Sequence, residues 1–216
     1  TEHAIEARDM YPERLIAFMC IDPRHHNVAQ MMDVYVKHYG CKGFGEHING
    51  LAFDDPRNKV IYAKCDEYGL PLDFEINTTY CYDDVGLPRL ESCLKEFKNV
   101  KWVGHGPGFW SAISADDPRG GYPPDPIKPG GALDRLLYEY DNLYADLSAG
   151  SGYNAMTRDP EFALEFVKRH WRKLIWGSDY MGHNQPIPQV KWLANLNVSE
   201  EMKIAIAKEN AERLLS

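Results

Sequence analysis

Short apolar runs alternate with helix-like stretches along the chain, and this alternation constrains the fold more than any other feature. Strands that alternate with helices form βαβ units, and such units build a parallel sheet. The predicted strands are residues 14–21, 41–48, 72–77, 100–105, 143–149 and 173–179. The predicted helices, which carry apolar residues at helical spacing, are residues 27–39, 59–67, 88–97, 131–140, 160–170 and 200–215, the last with Ser199 as its N-cap.

Composition narrows the class of protein. The chain has 216 residues, and we expect residues 1–216 to form a single domain. A net charge of −8 without clustered Lys and Arg argues against a nucleic-acid partner. No apolar stretch has the length of a membrane span, and the polar residues 1–9 do not have the character of a secretory signal. Five cysteines without a CxxC pair favour a reduced, cytoplasmic protein.

Two predicted strands end in a glycine that precedes a reactive side chain. The sequence LIWGSDY at 174–180 places Asp179 at one strand end, and the sequence VGHG at 103–106 places His105 at another. The C-terminal ends of parallel strands face the functional site. An aspartate and a histidine there are suited to bind a divalent metal or to act as a hydrolytic base. The alternatives are a helix-capping role for Asp179 and a core position for His105.

A third predicted strand is polar on one face. Because side chains alternate along a strand, Asp73, Glu75 and Asn77 share a face. Buried parallel strands are normally apolar on both faces, so this pattern predicts a polar, occupied barrel interior. The alternative is an edge strand with one solvated face. Glu46 closes a further strand and is either a site carboxylate or a surface carboxylate in an ion pair.

Two loops also carry candidate functions. The segment 106–130 contains six prolines, and loops of this length are usually functional. The Gly-Ser-rich residues 148–152 suit either a phosphate-binding loop at a helix N-terminus or a tight turn.

Several of these motifs together resemble the amidohydrolase superfamily. They are GFGE at 43–46, GHG at 104–106, LYADLS at 143–148, IWGSDY at 175–180 and ENAERLL at 209–215. The resemblance covers essentially the whole chain and is strongest to the amidohydrolase-related branch, which includes aminocarboxymuconate-semialdehyde decarboxylase-like enzymes. It implies an α/β fold, a metal-dependent (β/α)8 TIM barrel. The predicted strand 14–21 matches the family's third strand, so we expect the first two βα units to be absent from this chain.

The resemblance also implies roles for particular residues. Asp179 would be the metal-binding and proton-handling aspartate of the last strand, and His105 a metal ligand or general acid. Glu75 stands where the family commonly has a histidine, which gives an expected metal set of His105, Asp179 and Glu75. The expected cofactor is a divalent metal, with zinc as the expected ion. Substrate contacts are expected from three loop residues: Trp110, Asn154 and Arg158.

The expected function is hydrolysis of a C–N or C–O bond in a small carbonyl or carboxylate substrate, or a related non-oxidative decarboxylation. Asp179 would take a proton from water, and His105 would stabilise or protonate the reacting group. The chain has no His-x-His pair, so two alternatives stay open: a metal-free binding protein or pseudoenzyme on the same barrel, and a phosphate-binding barrel centred on residues 150–152. The expected partner is a small molecule, and a homo-oligomer is compatible with the sequence.

Overall fold

A parallel five-stranded sheet forms the centre of the molecule in the computed structural model, which describes residues 1–216. The strands are β1 (Phe44–His47), β2 (Pro71–Glu75), β3 (Lys101–His105), β4 (Leu143–Asp146) and β5 (Leu174–Ile175). Each strand pairs in parallel with the next in chain order. This arrangement confirms the predicted βαβ organisation. No helix combines the length and apolar character that crossing a membrane requires.

Helices connect and flank the strands. They are α1 (Glu2–Met10), α2 (Val28–Lys37), α3 (Pro56–Tyr68), α4 (Pro88–Glu96), α5 (Pro107–Ser111), α6 (Ala132–Glu139), α7 (Ala149–Thr157), α8 (Pro160–His170), α9 (Pro188–Asn195), α10 (Glu200–Ile204) and α11 (Asn210–Leu215). Ser199 caps α10 as predicted, because its Oγ accepts the backbone N–H of Met202. A π-helical turn, Ala205–Glu209, divides the predicted helix 200–215 in two.

The first and last predicted strands are shorter than expected. Of the predicted strand 14–21, Arg14 belongs to a turn, and only the stretch from Ala17 to Met19 hydrogen-bonds to the backbone of residues 42–45, through a bridge between Met19 and Phe44. At the other edge, β5 ends at Ile175. The N–H of Trp176 binds Ile206 O of the last helix instead of a neighbouring strand. The prediction of six full strands is therefore wrong, and the sheet has five strands and a bridge.

The outer face of the sheet carries the core. Leu72, Phe74, Trp102, Leu143 and Leu174 are fully buried there and pack against the surrounding helices. Apolar burial of this kind is the main source of stability in a domain of this size. The residues between them in sequence therefore point to the inner face, which is where the polar side chains lie.

Part of the inner face is covered by the C-terminal helix. Leu214 of α11 packs with Val103 of β3 and Ile175 of β5 in a second, smaller apolar cluster. The Lys101 ammonium donates to Leu214 O over 2.7 Å. The first and last strands do not pair with each other, so the C-terminal ends of the strands and the inner face bound a cavity that α11 closes from below.

Candidate metal centre

A cavity of about 320 Å³ lies against the inner face of the sheet. Near the C-terminal ends of the strands it is lined by Glu46, His105, Asp146 and Asp179, and Asp73 lines it deeper, at the level of Val103. Its lower end is apolar and is lined by Phe18, Val103, Ile175 and Leu214, among others. No lysine or arginine lines the cavity. The cavity therefore combines an acidic ring with an apolar floor.

Strand register explains why the polar residues meet. Glu75 is the register partner of His105, and Asp73 is that of Val103, so these alternate residues of β2 and β3 share the inner face of the sheet. Phe44 and His47, three residues apart on β1, pair with Leu72 and Phe74, which are only two residues apart on β2. Such a bulge re-aims a side chain, and here it lies at Glu46.

Three ligand-type side chains converge at this end of the sheet. Carboxylate oxygens of Glu46 and Glu75 and a ring nitrogen of His105 all lie within 4.8 Å of one another. Glu46 Oε1 lies 4.0 Å from His105 Nε2. Gly106 makes room for Glu75, because a Cβ at that glycine would lie 2.3 Å from Glu75 Cγ. The three side chains are close enough to share one cation.

The other ring nitrogen of His105 is held by Asp146. His105 Nδ1 lies 2.8 Å from Asp146 Oδ2, and His105 is buried. Burial lowers the pKa of the imidazolium, but the hydrogen bond to Asp146 and the charges of Asp146, Asp73 and Glu46 outweigh it and raise the pKa to about 9. Because Asp146 holds Nδ1, Nε2 is the ring nitrogen that faces the cavity.

The carboxylates of the cavity lack compensating charge. Asp73 Oδ1 is buried without a hydrogen-bond partner. Burial, with the charge of Asp146 added, raises the pKa of Asp73 to about 7. Burial also raises the pKa of Glu46, and Glu75 and Asp179 add to the effect against the opposing charge of His105. A cation in the cavity would relieve this repulsion.

Asp179 reaches the same cavity from the opposite edge of the sheet, after β5. It lies beyond the end of β5, is exposed, and has a φ of 49°. Its backbone carbonyl accepts a hydrogen bond of 2.6 Å from Gln185 Nε2, which fixes the turn. Of the predicted metal set, the structure brings Glu75 and His105 together with Glu46, while Asp179 faces them across the cavity.

The three residues predicted to contact substrate lie elsewhere, and none of them lines the cavity. The buried indole of Trp110 donates to Asp146 O over 2.9 Å. Asn154 Nδ2 donates to Pro123 O, and Arg158 Nη1 donates to Asp125 O. These three residues lie close to the motifs in the sequence, but that closeness does not determine the direction in which their side chains point. Trp110 supports the end of β4, and the other two hold the long loop after β3 against α7.

Asp146 and Ser148 are site residues that the sequence analysis did not single out. Ser148 Oγ lies 3.2 Å from His105 Nδ1 and hydrogen-bonds Asp146. Alternation along β4 was the signal that could have found Asp146, because Tyr144 and Asp146 must share the inner face once Leu143 and Ala145 are assigned to the core.

The Gly-Ser-rich segment after β4 forms the first turn of α7. A Cβ on Gly152 would lie 2.7 Å from the carbonyl carbon and oxygen of Leu147. The glycine is thus required for close packing of the helix on the strand end. The segment is therefore the start of a helix and not an isolated tight turn, and the phosphate-binding alternative stays a prediction.

Comparisons with known proteins agree with this geometry. The family model described as amidohydrolase matches residues 1–216, whereas no curated protein matches the sequence. An uncharacterized TIM-barrel protein from Bordetella bronchiseptica is similar with a TM-score of 0.70 and 18% identity, over 99% of this chain and 71% of that one. A 5-carboxyvanillate decarboxylase from Sphingomonas paucimobilis is similar with a TM-score of 0.61 and 15% identity, over 99% and 70% of the two chains.

A dihydroxybenzoic acid decarboxylase from Polaromonas sp. JS666, solved with manganese and the inhibitor 2-nitroresorcinol, gives a TM-score of 0.62 at 15% identity. It is matched over 99% of this chain and 73% of its own. Identities this low bear on the fold, and they confirm the α/β architecture of the TIM-barrel type. The family model confirms the resemblance carried by the sequence motifs and with it the expectation of an amidohydrolase-type enzyme. The chain belongs to the amidohydrolase family.

Proposed function

We propose that the acidic end of the cavity binds one divalent metal ion and that the protein catalyses non-oxidative decarboxylation of a small aromatic carboxylic acid. One observation carries the proposal: ligand atoms of Glu46, Glu75 and His105 lie within 4.8 Å of one another, and Glu46 and His105 line a cavity that has no lysine or arginine in its wall. The buried, unpartnered Asp73 Oδ1 supports it, because an orphaned carboxylate oxygen is costly unless a cation or donor occupies the space.

The donor set fits a hard divalent ion. Glu46, Glu75 and His105 would hold the metal, and Asp179 could add a carboxylate from the β5 side. Carboxylate oxygens suit magnesium and manganese, whereas sites rich in imidazole suit zinc. We therefore propose manganese in place of the zinc expected from the sequence. The manganese in the similar decarboxylase from Polaromonas supports this choice.

The cavity shape favours an aromatic substrate. Phe18, Ile175 and Leu214 form an apolar floor below the carboxylates, so a ring can be buried there while its polar substituents face the acidic end. Ligand sites commonly combine an apolar lining with a few converging polar groups in this way. The similar decarboxylases are named for substituted benzoic acids, and this supports the same substrate class for this protein.

A bound ion would supply Lewis-acid polarisation of the substrate oxygens. The remaining steps belong to this chain. The apolar floor orients the ring and excludes water. When it does not ligate the ion, the exposed Asp179 would take a proton from solvent and deliver it to the carbon that carries the carboxylate. The bond from that carbon to the carboxylate then breaks, its electron pair stays on the ring, and CO2 leaves.

Arg119 does not line the cavity, but we propose that it contacts the substrate carboxylate from the long loop after β3, a role in substrate contact that the sequence analysis expected of Arg158. Of the two cations in the long loop after β3, Lys128 pairs with Asp116, whereas Arg119 is half-buried and has no carboxylate partner. The loop crosses the mouth of the sheet at this point: a Cβ on Gly120 would lie 3.9 Å from Thr78 Cγ2 and 4.0 Å from Gly108 N. An arginine there suits a planar carboxylate.

The proposed function is tested by incubating the protein with manganese and a panel of hydroxybenzoic acids, and by following CO2 release. We expect turnover that chelation abolishes and manganese restores. A matched panel of lactones and amides separates the alternatives. Hydrolysis of these compounds without CO2 release would assign the protein to the hydrolases of its family. A manganese-loaded protein that turns over neither panel would contradict the proposed function.

A further inference from the structure

We infer that Asp146 is a positioning residue that fixes the orientation and tautomer of the His105 ring, and that Gly177 is a glycine because Asp146 must occupy this place. The inference rests on the proposed function, since it concerns how His105 presents Nε2 to the metal cavity. It also assigns a role to the glycine of the GSD motif, which the metal site itself leaves unexplained.

Hydrogen bonds fix the Asp146 carboxylate on both of its oxygens. Oδ1 accepts the backbone N–H of Ser148 over 3.0 Å. Oδ2 accepts the Ser148 hydroxyl and lies 2.8 Å from His105 Nδ1. An ionised carboxylate can only accept hydrogen bonds, so Nδ1 must carry a hydrogen. In the neutral ring Nε2 is then the unprotonated nitrogen, and this is the nitrogen that lies 4.0 Å from Glu46 Oε1.

The close approach of the segment after β5 to the end of β4 depends on Gly177. A Cβ on this glycine would lie 2.8 Å from Asp146 Oδ1 and 3.0 Å from Ser148 Cβ. The backbone of Gly177 is not in the left-handed region, so alanine is compatible with its conformation. The conflict is with the Asp146–Ser148 unit alone, which makes Gly177→Ala a way to displace the carboxylate without changing its chemistry.

The Ser148 N–H also predicts what an amide at position 146 would do. In Asp146→Asn the amide oxygen must face Ser148 N–H, because that group can only donate. The amide nitrogen then takes the place of Oδ2 and donates to His105 Nδ1. The hydrogen of the neutral ring consequently moves to Nε2, which removes the lone pair that a metal needs. Outer partners of this kind typically change metal affinity by about 10- to 100-fold.

The test combines nitrogen NMR of ¹⁵N-histidine-labelled protein with metal titration. In the wild type we expect the neutral His105 ring to carry its hydrogen on Nδ1, both in the metal-free protein and in the diamagnetic zinc-loaded form. In Asp146→Asn we expect the hydrogen on Nε2, with about 10- to 100-fold weaker manganese binding. Gly177→Ala should weaken manganese binding in the same direction. Asp134→Asn, which alters the second His–Asp pair of the molecule, is the matched control and should change only the His170 signals.

Retention of Nδ1 protonation and wild-type manganese affinity in Asp146→Asn would overturn the inference. So would a Gly177→Ala protein with an unchanged His105 spectrum and unchanged affinity. A wild type that binds no manganese but shows the tautomer inversion in Asp146→Asn would instead overturn the proposed function and leave the inference standing, because the metal-free spectrum does not depend on the ion.

Discussion

The molecule contains two buried His–Asp pairs with similar geometry and different surroundings. His105 Nδ1 lies 2.8 Å from Asp146 and joins β3 to β4 at the cavity, whereas His170 Nε2 lies 2.6 Å from Asp134 and joins α8 to α6. Asp134 also accepts a hydrogen bond of 2.9 Å from Arg169. Burial raises the pKa of Asp134, but His170 and Arg169 outweigh it and lower the pKa overall.

The difference between the pairs lies in charge balance. The guanidinium of Arg169 and the ring of His170 both hydrogen-bond Asp134, and the Phe166 ring lies 4.8 Å from that of His170, so this pair is enclosed. At the cavity, His105 is the one basic side chain among four lining carboxylates, and its second ring nitrogen faces open space. A buried His–Asp pair is therefore not a functional signal by itself. The uncompensated carboxylates around His105 are what distinguish a candidate metal centre from a structural pair.

Replacing each of the two histidines in turn tests the difference between the two pairs most directly. His105→Gln should lower turnover by about 10²- to 10⁴-fold, because it removes both the ligand nitrogen and the ring that Asp146 orients. His170→Gln, measured in the same manganese-dependent assay after confirming that it is folded, should retain turnover near that of the wild type. Equal activity losses in the two variants would remove the distinction between the pairs.

Arg119 tests whether the cavity binds a carboxylate substrate. Arg119→Met should raise KM by about 10- to 100-fold with a much smaller change in kcat, because a charge-assisted hydrogen bond is typically worth about 1.5–3 kcal/mol. Lys128→Met is the matched control from the same loop, since Lys128 already pairs with Asp116. An unchanged KM in Arg119→Met would exclude this residue as the anchor.

The His170–Asp134 pair should contribute to the stability of the protein and not to its activity. Asp134→Asn removes the charged acceptor of both His170 and Arg169, and we expect a loss of about 1–3 kcal/mol in the free energy of unfolding. Urea unfolding measures this loss. Steady-state kinetics under native conditions should be unchanged, and a specific decrease in kcat would show that the pair is coupled to the cavity.

The smallest effect is expected at a helix cap away from both pairs. Asp159 caps α8 by accepting the N–H of Phe162 over 3.1 Å, and it also accepts the N–H of Ile127 in the long loop. Asp159→Ala should cost about 1 kcal/mol of unfolding free energy. Asp55→Ala, which removes the cap of α3, provides the comparison. A larger loss at Asp159 would measure the extra contribution of the loop contact.

Periodicity predicted most of the fold. The central strands β2, β3 and β4 lie where apolar runs end in polar or small residues, because their outer faces pack on helices and their inner faces do not. The edges could not be predicted in the same way. Whether residues 14–21 pair fully, or how far β5 extends, depends on neighbours such as Ile206 that are distant in sequence.

The site was predictable to a similar degree. Alternation placed Glu75 on the polar face of its strand, a strand end singled out His105, and the family resemblance joined the two in one expected metal set; the structure brings them within reach of Glu46. Trp110, Asn154 and Arg158 lie off the cavity, because loops have no periodicity from which a side-chain direction can be read. Alternation along β4 predicts that Asp146 lies on the inner face, but its hydrogen bond with His105 depends on the register between β3 and β4.

Manganese binding tests the central claim most directly. Equilibrium dialysis of the metal-free protein, with manganese measured by atomic emission, should give about one ion per chain, and Glu75→Gln should weaken binding by at least about tenfold because one ligand loses its charge. Asp134→Asn should bind manganese as the wild type does. Less than about a tenth of an equivalent in the wild type, or unchanged binding in Glu75→Gln, would contradict a metal centre built on Glu46, Glu75 and His105.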